Sequence, residues 1–219
     1  MKKAIVSTSI LGATPNNVDK EIKKIKDAGI GWVHFDVMDG KFVKNVSFET
    51  SFLKQVCNGL KLIKDVHIMI NDPINRVEEY ADCGADYLTF HYEACKDEKE
   101  VIDVINKIHV LKMKAGLSIR PNTSIEKVYP FLKELDLVLI MSVEPGYGGQ
   151  RFIDCSIEKI AFLRNEIDKN ELNTLISVDG GVNDKTAPLC LNAGADILVV
   201  GQYLFGHDDF LERYQKIIK

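Results

Sequence analysis

The chain has 219 residues, of which 46% are hydrophobic and 27% are charged, and its formal net charge is -4. This balance is typical of a globular protein and does not indicate a nucleic-acid-binding surface. No apolar run approaches the roughly 20 residues that a membrane helix needs. The first residues, MKKAIVSTSIL, lack the long apolar run and cleavage site of a signal peptide. The five cysteines include no CxxC pair. We therefore expect a cytoplasmic protein with no nucleic-acid or membrane partner.

Three segments repeat one pattern along the chain. They read DAGIGWVHFD from Asp27, DCGADYLTFH from Asp82 and NAGADILVVG from Asn192. Each pattern predicts a helix that ends at a glycine in the left-handed conformation, followed by a short turn into a buried strand. The three glycines are 29, 84 and 194, so the second step of 110 is twice the first step of 55. Such a step fits two helix–strand units of about 27 residues each.

Eight strand-like runs follow this spacing in chain order, and amphipathic helices are predicted between them. The runs cover residues 4–11, 32–37, 62–70, 87–91, 115–119, 137–143, 174–178 and 197–200. Asp72-Pro73 and Asn183-Asp184 are typical of helix starts. Alternating strands and helices predict a parallel sheet. Eight nearly even units in so short a chain favour a closed (β/α)8 TIM barrel over an open doubly wound sheet. We expect one domain, residues 1–219.

Polar side chains stand at several predicted strand ends, where the active sites of such barrels lie. His34 and Asp36 are two residues apart, so they face the same side of strand 2. His67 ends strand 3, and Asp179 follows strand 7. Any one of these could be an ordinary polar residue at a barrel mouth. Together, two histidines and two aspartates at matched depth predict a site for a divalent transition metal.

The other histidines carry weaker signals. His91 and Glu93 lie at the end of strand 4, where they could either support the metal site or be plainly structural. His109 lies in a predicted helix and His207 in the last loop. We interpret both as structural.

Glycines and methionines complete the predicted strand-end site. Loops after strands 7 and 8 of a barrel often hold a phosphate, and glycines let backbone N–H groups approach an anion closely. The glycine-rich residues are Gly146, Gly148, Gly149, Gly180, Gly181 and Gly201-Gln202. Each glycine alone could serve a tight turn, but their joint position predicts a phosphate-bearing substrate. Met38, Met69 and Met141 could fill core gaps or surround a delocalised anion.

These blocks, in this order, resemble the ribulose-phosphate 3-epimerase family over essentially the whole chain. The matching segments are HFDVMDGKFVKN, DVHIM, TFHYEA, MSVEPGYGGQRF and VDGGV. The resemblance implies a metal-dependent epimerase of the pentose phosphate pathway that interconverts D-ribulose 5-phosphate and D-xylulose 5-phosphate. It implies one divalent ion per subunit (Zn, Fe, Mn or Co) and a homo-oligomer.

The resemblance also implies roles for individual residues. The metal ligands fall on His34, Asp36, His67 and Asp179, and the acid/base pair on Asp36 and Asp179. Substrate binding falls on Ser9, His67, the three methionines and the glycine loops.

Three departures from the family pattern leave other readings open. The first strand continues TSILGAT instead of PSILSAD, the second loop reads KFVKN where HFVPN is common, and Gln202 stands where serine is usual. These changes affect the substrate rim and the phosphate site but not the metal ligands, and they leave room for a related phosphoketose such as D-allulose 6-phosphate. Another phosphate-binding barrel, such as one of indole or thiamine synthesis, is a second enzyme alternative, and the paired strand-end histidines argue against it. A barrel that only binds a phosphosugar or a metal is the non-enzyme alternative, and the presence of all four expected ligands argues against it.

Overall fold

The computed structural model describes residues 4–11 and 16–219, so the Gly12-Ala13-Thr14 departure and the first three residues lie outside the described part. Eight strands form a closed barrel in which each pairs in parallel with its neighbours in the chain and β1 pairs with β8. They are β1 (Ile5–Ser9), β2 (Trp32–Met38), β3 (Ile63–Met69), β4 (Tyr87–His91), β5 (Lys114–Ile119), β6 (Leu137–Met141), β7 (Leu175–Asp179) and β8 (Ile197–Val200). The predicted (β/α)8 fold is confirmed.

Seven α-helices surround the barrel in the described part of the chain. They are α1 (Val18–Asp27), α2 (Thr50–Cys57), α3 (Val77–Asp82), α4 (Glu98–Val110), α5 (Ser156–Lys169), α6 (Ala187–Ala193) and α7 (Phe210–Ile217). Their apolar faces pack on the outer face of the strands, as Val101, Val104 and Ile108 of α4 do. Burial of such a face is what stabilises helices of this length.

The connection between β5 and β6 differs from the expected α-helix. It consists of two short 3-10 helices, Ile125–Lys127 and Tyr129–Phe131. Pro130 lies inside the second one and has no N–H to continue an α-helical ladder. The helix start expected at Asn183-Asp184 is also shifted, because Asn183 accepts hydrogen bonds from Lys185 and Thr186 in a turn and α6 begins at Ala187.

The repeated glycines adopt the predicted conformation. Gly29, Gly84 and Gly194 have φ values of 71°, 81° and 109°. An aspartate follows two residues after Gly84 and Gly194, at the end of the barrel where the strands begin. Its side chain accepts a backbone N–H of the preceding strand. Asp86 accepts the backbone N–H of Lys64 with its side chain, and Asp196 accepts that of Ile176.

Asp136 repeats this contact before β6 by accepting the N–H of Ala115. In each case the aspartate precedes a strand, β4, β6 or β8, and its carboxylate accepts an N–H of the neighbouring strand. It thus takes the place of a backbone carbonyl in the hydrogen-bond ladder between the two strands. Gly31 occupies the equivalent place before β2, where its carbonyl accepts from Ile63 just as that of Asp86 accepts from Lys114. Gly31 has no side chain to complete the contact.

The inside of the barrel has a polar part and an apolar part. β6 and β8 contribute Leu137, Leu139, Met141, Ile197 and Val199 to one apolar cluster. The strands β1 to β3 contribute buried polar side chains instead: Ser7, Ser9, His34, Asp36, Asp65 and His67. Buried polar groups are costly unless they are paired, so this part of the interior points to a functional role.

Candidate active site

Four predicted residues meet at the carboxyl ends of the strands. Asp36 Oδ1 lies 3.2 Å from His34 Nε2 and 3.0 Å from His67 Nδ1. Asp179 Oδ2, across the barrel, lies 4.0 Å from His67 Nδ1. One ligand atom from each of the four lies within 4.8 Å of the others. The group could therefore hold a metal ion, and the role of each residue as a ligand stays a prediction.

Asp65 and Ser7 support this group from below, and neither was predicted from the sequence. His34 Nδ1 lies 2.7 Å from Asp65 Oδ2, which also accepts a hydrogen bond of 2.9 Å from Ser7 Oγ. This contact orients the ring of His34, so that Nδ1 faces Asp65 and Nε2 faces the cluster. The available signal was the two-residue period, since Asp65 precedes His67 by two positions and Ser7 precedes Ser9 by two.

The far nitrogen of His67 enters a second chain of hydrogen bonds. His67 Nε2 lies 2.9 Å from His91 Nε2, and His91 Nδ1 lies 3.2 Å from Glu93 Oε2. Glu93 Oε1 accepts the backbone N–H of Arg120 at 2.8 Å. The sequence left open whether His91 supports the metal site or is plainly structural. The contact with His67 favours the first interpretation, because it places His91 directly behind a cluster residue.

The two carboxylates of the cluster have opposite pKa shifts. Burial alone would raise the pKa of Asp36, but the charge and hydrogen bond of His34 outweigh it and hold that pKa well below its usual range. Burial raises the pKa of Asp179 to about 7, and the negative charge of Asp36 adds to the effect. Near neutral pH, Asp36 is thus an ionised base, while Asp179 exchanges a proton readily.

The imidazoles also differ from one another. Burial opposes protonation of His34, but the charges of Asp65 and Asp36 outweigh it and raise its pKa well above the usual range. Burial lowers the pKa of His67 despite the nearby charge of Asp36. Burial also lowers the pKa of His91 to about 4, so His91 is neutral. Burial would raise the pKa of Glu93, but the hydrogen bond from His91 reverses the shift and brings it to about 2.

A cavity of about 1050 Å³ opens above the cluster. Its wall includes both aspartates of the cluster and all predicted substrate-binding residues except His67, which lies fully buried beneath. These wall residues are Ser9, Met38, Met69, Met141, Gly146, Gly148, Gly149, Gly180, Gly181, Gly201 and Gln202. Ser9 Oγ donates a hydrogen bond of 2.9 Å to Asp36 Oδ2. The predicted residues thus share one cavity, and their contacts with a substrate stay predictions.

The glycine loops come so close to one another that side chains would not fit. A Cβ on Gly181, whose φ is 64°, would lie 2.6 Å from the backbone nitrogen of Phe152. A Cβ on Gly149 would lie 2.4 Å from Oε1 of Gln202, so the loops after β6 and β8 touch there. Backbone therefore forms much of the cavity wall at this side.

Three other polar residues near the strand ends or in helices and loops have different surroundings. Asp39 accepts the N–H groups of Lys41, Phe42 and Asn71, so it organises the loop after β2. His109 pairs with Asp136 at the opposite end of the barrel, in agreement with a structural role. His207 lines the outer part of the cavity.

All five cysteines are free thiols. In the described part of the chain no helix is long and apolar enough to cross a membrane.

The fold and this site define a class: (β/α)8 barrels that carry a two-histidine, two-aspartate cluster and glycine-rich loops at the carboxyl ends of the strands. Within that class, residues 5–205 match the sequence profile of the ribulose-phosphate 3 epimerase family. The chain belongs to this family, and the resemblance read from its motifs is confirmed.

Relatives from distant bacteria agree with this assignment. The ribulose-phosphate 3-epimerase of Chlamydia pneumoniae is 43% identical over 213 residues, which cover 95% of this chain and 92% of the relative. That of Bacillus subtilis is 40% identical over 205 residues and 93% of both chains. Among solved structures, the 3-hexulose-6-phosphate synthase of Salmonella typhimurium superimposes with a TM-score of 0.69 at 17% identity, over 99% of this chain and 96% of the other. At that identity the likeness shows the barrel fold alone.

Proposed function

We propose that this protein is a ribulose-phosphate 3-epimerase, which interconverts D-ribulose 5-phosphate and D-xylulose 5-phosphate. The observation that carries the proposal is the pair Asp36 and Asp179, two carboxylates with opposite pKa shifts on opposite sides of the barrel mouth. Both line the same cavity. The names of the relatives from Chlamydia pneumoniae and Bacillus subtilis support the same activity.

The chemistry of epimerisation requires such a pair. Inverting the carbon next to a ketone means removing its proton from one face and returning a proton to the other face. An ionised carboxylate removes the proton, and a protonated carboxyl on the other side donates one. Asp36 enters as the base and Asp179 as the acid in one direction, and their roles exchange in the reverse direction. Because the two groups interact, they titrate as a pair.

The four clustered residues fit a divalent metal ion by their chemistry. Two imidazole nitrogens and two carboxylate oxygens are ligands that zinc, iron, manganese and cobalt accept. The cluster also concentrates two carboxylates in a buried place that a cation would stabilise. His34, Asp36, His67 and Asp179 would hold the ion. When bound, it supplies positive charge beside the oxygens of the substrate and so stabilises the negative charge of the enediolate.

The remaining cavity wall would bind and orient the sugar. Ser9 both contacts Asp36 and faces the cavity, so its hydroxyl would orient the base and the substrate together. The methionines Met38, Met69 and Met141 would pack on the planar enediolate without offering it a proton. The backbone of Gly180, Gly181, Gly201 and Gln202 would bind the phosphate.

A second candidate substrate is a related phosphoketose such as D-allulose 6-phosphate. Gln202 is the departure that keeps this candidate open, because its side chain lies against Gly149 where the loops after β6 and β8 meet, at the edge of the cavity. A coupled assay that compares kcat/KM across several phosphoketoses decides between the two. Higher kcat/KM for a six-carbon substrate would replace the pentose assignment.

The two-aspartate scheme is tested by Asp36→Asn and Asp179→Asn. Each should lower kcat by about 10² to 10⁴-fold, the usual contribution of a positioned acid or base. In D2O, Asp179→Asn should still exchange the C3 proton of the epimer that Asp36 deprotonates, although it no longer forms the other epimer. Asp136→Asn, the same carboxyl-to-amide change at a half-buried residue at the far end of the barrel, is the control. Near-normal turnover of both active-site variants would refute the scheme, and activity after complete metal removal would refute the part assigned to the ion.

A further inference from the structure

We propose that Glu93, acting through His91, positions His67 for metal binding by setting the direction of the hydrogen-bond chain behind it. The inference rests on the metal site under Proposed function and extends it to two residues that do not belong to the cluster. Glu93 and His91 are positioning residues, because the contacts of His91 with the cluster run only through His67.

Glu93 sets which nitrogen donates in each hydrogen bond of the chain, because an ionised carboxylate can only accept hydrogen bonds. Its Oε1 receives the backbone N–H of Arg120 at 2.8 Å and the hydroxyl of Thr123. Its Oε2 faces Nδ1 of His91 at 3.2 Å. A carboxylate with two donors already on one oxygen is ionised, so the proton between Glu93 and His91 belongs to His91 Nδ1.

The position of the proton on His91 then determines the position of the proton on His67. A neutral imidazole with its proton on Nδ1 has a bare Nε2, which can only accept. His67 Nε2 lies 2.9 Å from this nitrogen, so His67 must supply the proton of that hydrogen bond. Its own Nδ1 is then bare and points at the cluster, 3.0 Å from Asp36 Oδ1.

Two acceptors at that distance repel each other unless a cation lies between or beside them. The chain therefore prepares His67 Nδ1 as a ligand, whereas the opposite direction would place a proton where the metal binds. His34 has a carboxylate behind it by a shorter route, because its Nδ1 meets the carboxylate of Asp65 directly. Each imidazole of the cluster thus has its own carboxylate at the end of a separate chain.

The sharpest test is Glu93→Gln, which keeps the shape of the side chain but changes one oxygen to an NH2. The amide oxygen of the glutamine will face the donors of Arg120 and Thr123, so its NH2 will meet the N–H of His91. Zn2+ affinity, measured by competition with a chelator, should fall about 10 to 100-fold, the range seen when such outer contacts are removed. ¹⁵N NMR of the zinc-loaded wild-type protein should place the proton of His91 on Nδ1.

The matched control is Asp136→Asn, which makes the same carboxyl-to-amide change beside a histidine, His109, far from the cluster. It should leave Zn2+ affinity unchanged. If Glu93→Gln fails to fold, His91→Gln and His91→Leu replace it. An amide oxygen can accept from His67 and leucine cannot, so we expect an affinity for Zn2+ lower by about tenfold or more in the leucine variant than in the glutamine variant.

Three outcomes would overturn the inference: equal Zn2+ affinity of wild type and Glu93→Gln, equal affinity of the two His91 variants, or a His91 proton on Nε2. In each case a wild-type protein that binds Zn2+ and epimerises its substrate would leave the proposed function intact. A wild-type protein that binds no Zn2+ would remove the metal site first and this inference with it.

Discussion

Removing the carboxyl of Asp179 should stabilise the metal-free protein at alkaline pH, although it removes a proposed catalytic group. Burial and the charge of Asp36 raise the pKa of Asp179 from 3.8 to about 7. A group whose pKa is higher in the folded state binds protons more tightly there, so its contribution to stability is complete below about pH 4 and is lost as the pH rises to about 7. Asp179→Asn has no ionisable group and avoids this loss.

The magnitude follows from the size of the shift. A change of one pKa unit corresponds to about 1.4 kcal/mol, so the shift from 3.8 to about 7 corresponds to about 4 kcal/mol. At about pH 4 the wild-type protein and Asp179→Asn should have similar free energies of unfolding. At about pH 8 the variant should be more stable by about 4 kcal/mol.

Urea denaturation in the presence of a chelator, at several pH values between about 4 and 8, measures this difference. Subtracting the free energies of the two proteins cancels the titrations of groups far from Asp179. The difference therefore reports Asp179 together with its coupling to Asp36 and His34. Added Zn2+ should reverse the order, because an ion that binds the native state stabilises more strongly the protein that keeps all four ligands. A stability difference that does not change with pH in the chelator, or a less stable variant under alkaline conditions, would refute the account of Asp179.

Three further predictions concern other parts of the barrel. Asp65→Asn should lower Zn2+ affinity about 10 to 100-fold in a chelator competition, because His34 loses the carboxylate that orients it; unchanged affinity would contradict that role. Gly31→Asp should raise the free energy of unfolding by about 1 kcal/mol in urea, since the new carboxylate would accept a backbone N–H of β1 as Asp86 accepts that of Lys64. Gly31→Ala, which has no acceptor, is the control for lost glycine flexibility, and an aspartate variant no more stable than the alanine variant would refute the equivalence. Gly181→Ala should raise KM for the phosphosugar more than it lowers kcat, because its φ of 64° and the nearby Phe152 backbone force the loop to shift; an unchanged KM would separate this loop from phosphate binding.

Much of the fold was predictable because its signals are local. The helix-ending glycines such as Gly84 and the apolar strand after each one are read from a short run of adjacent residues. Strand alternation likewise predicts that His34 and Asp36 share one face, because side chains two positions apart on a strand point the same way. The short 3-10 connection after β5 was missed, although Pro130 was a local sign of it.

The sequence by itself determined the repeat, the barrel and the identity of four side chains at the strand ends, because periodicity and residue type depend on neighbours along the chain. Only the tertiary structure decided that Asp65 lies behind His34, that His91 and Glu93 lie behind His67, and that Asp36 and Asp179 differ in protonation. These properties arise from hydrogen bonds and charges between residues far apart in the chain. Their strength depends on distances of a few ångströms and on burial, which exist only once the barrel has closed.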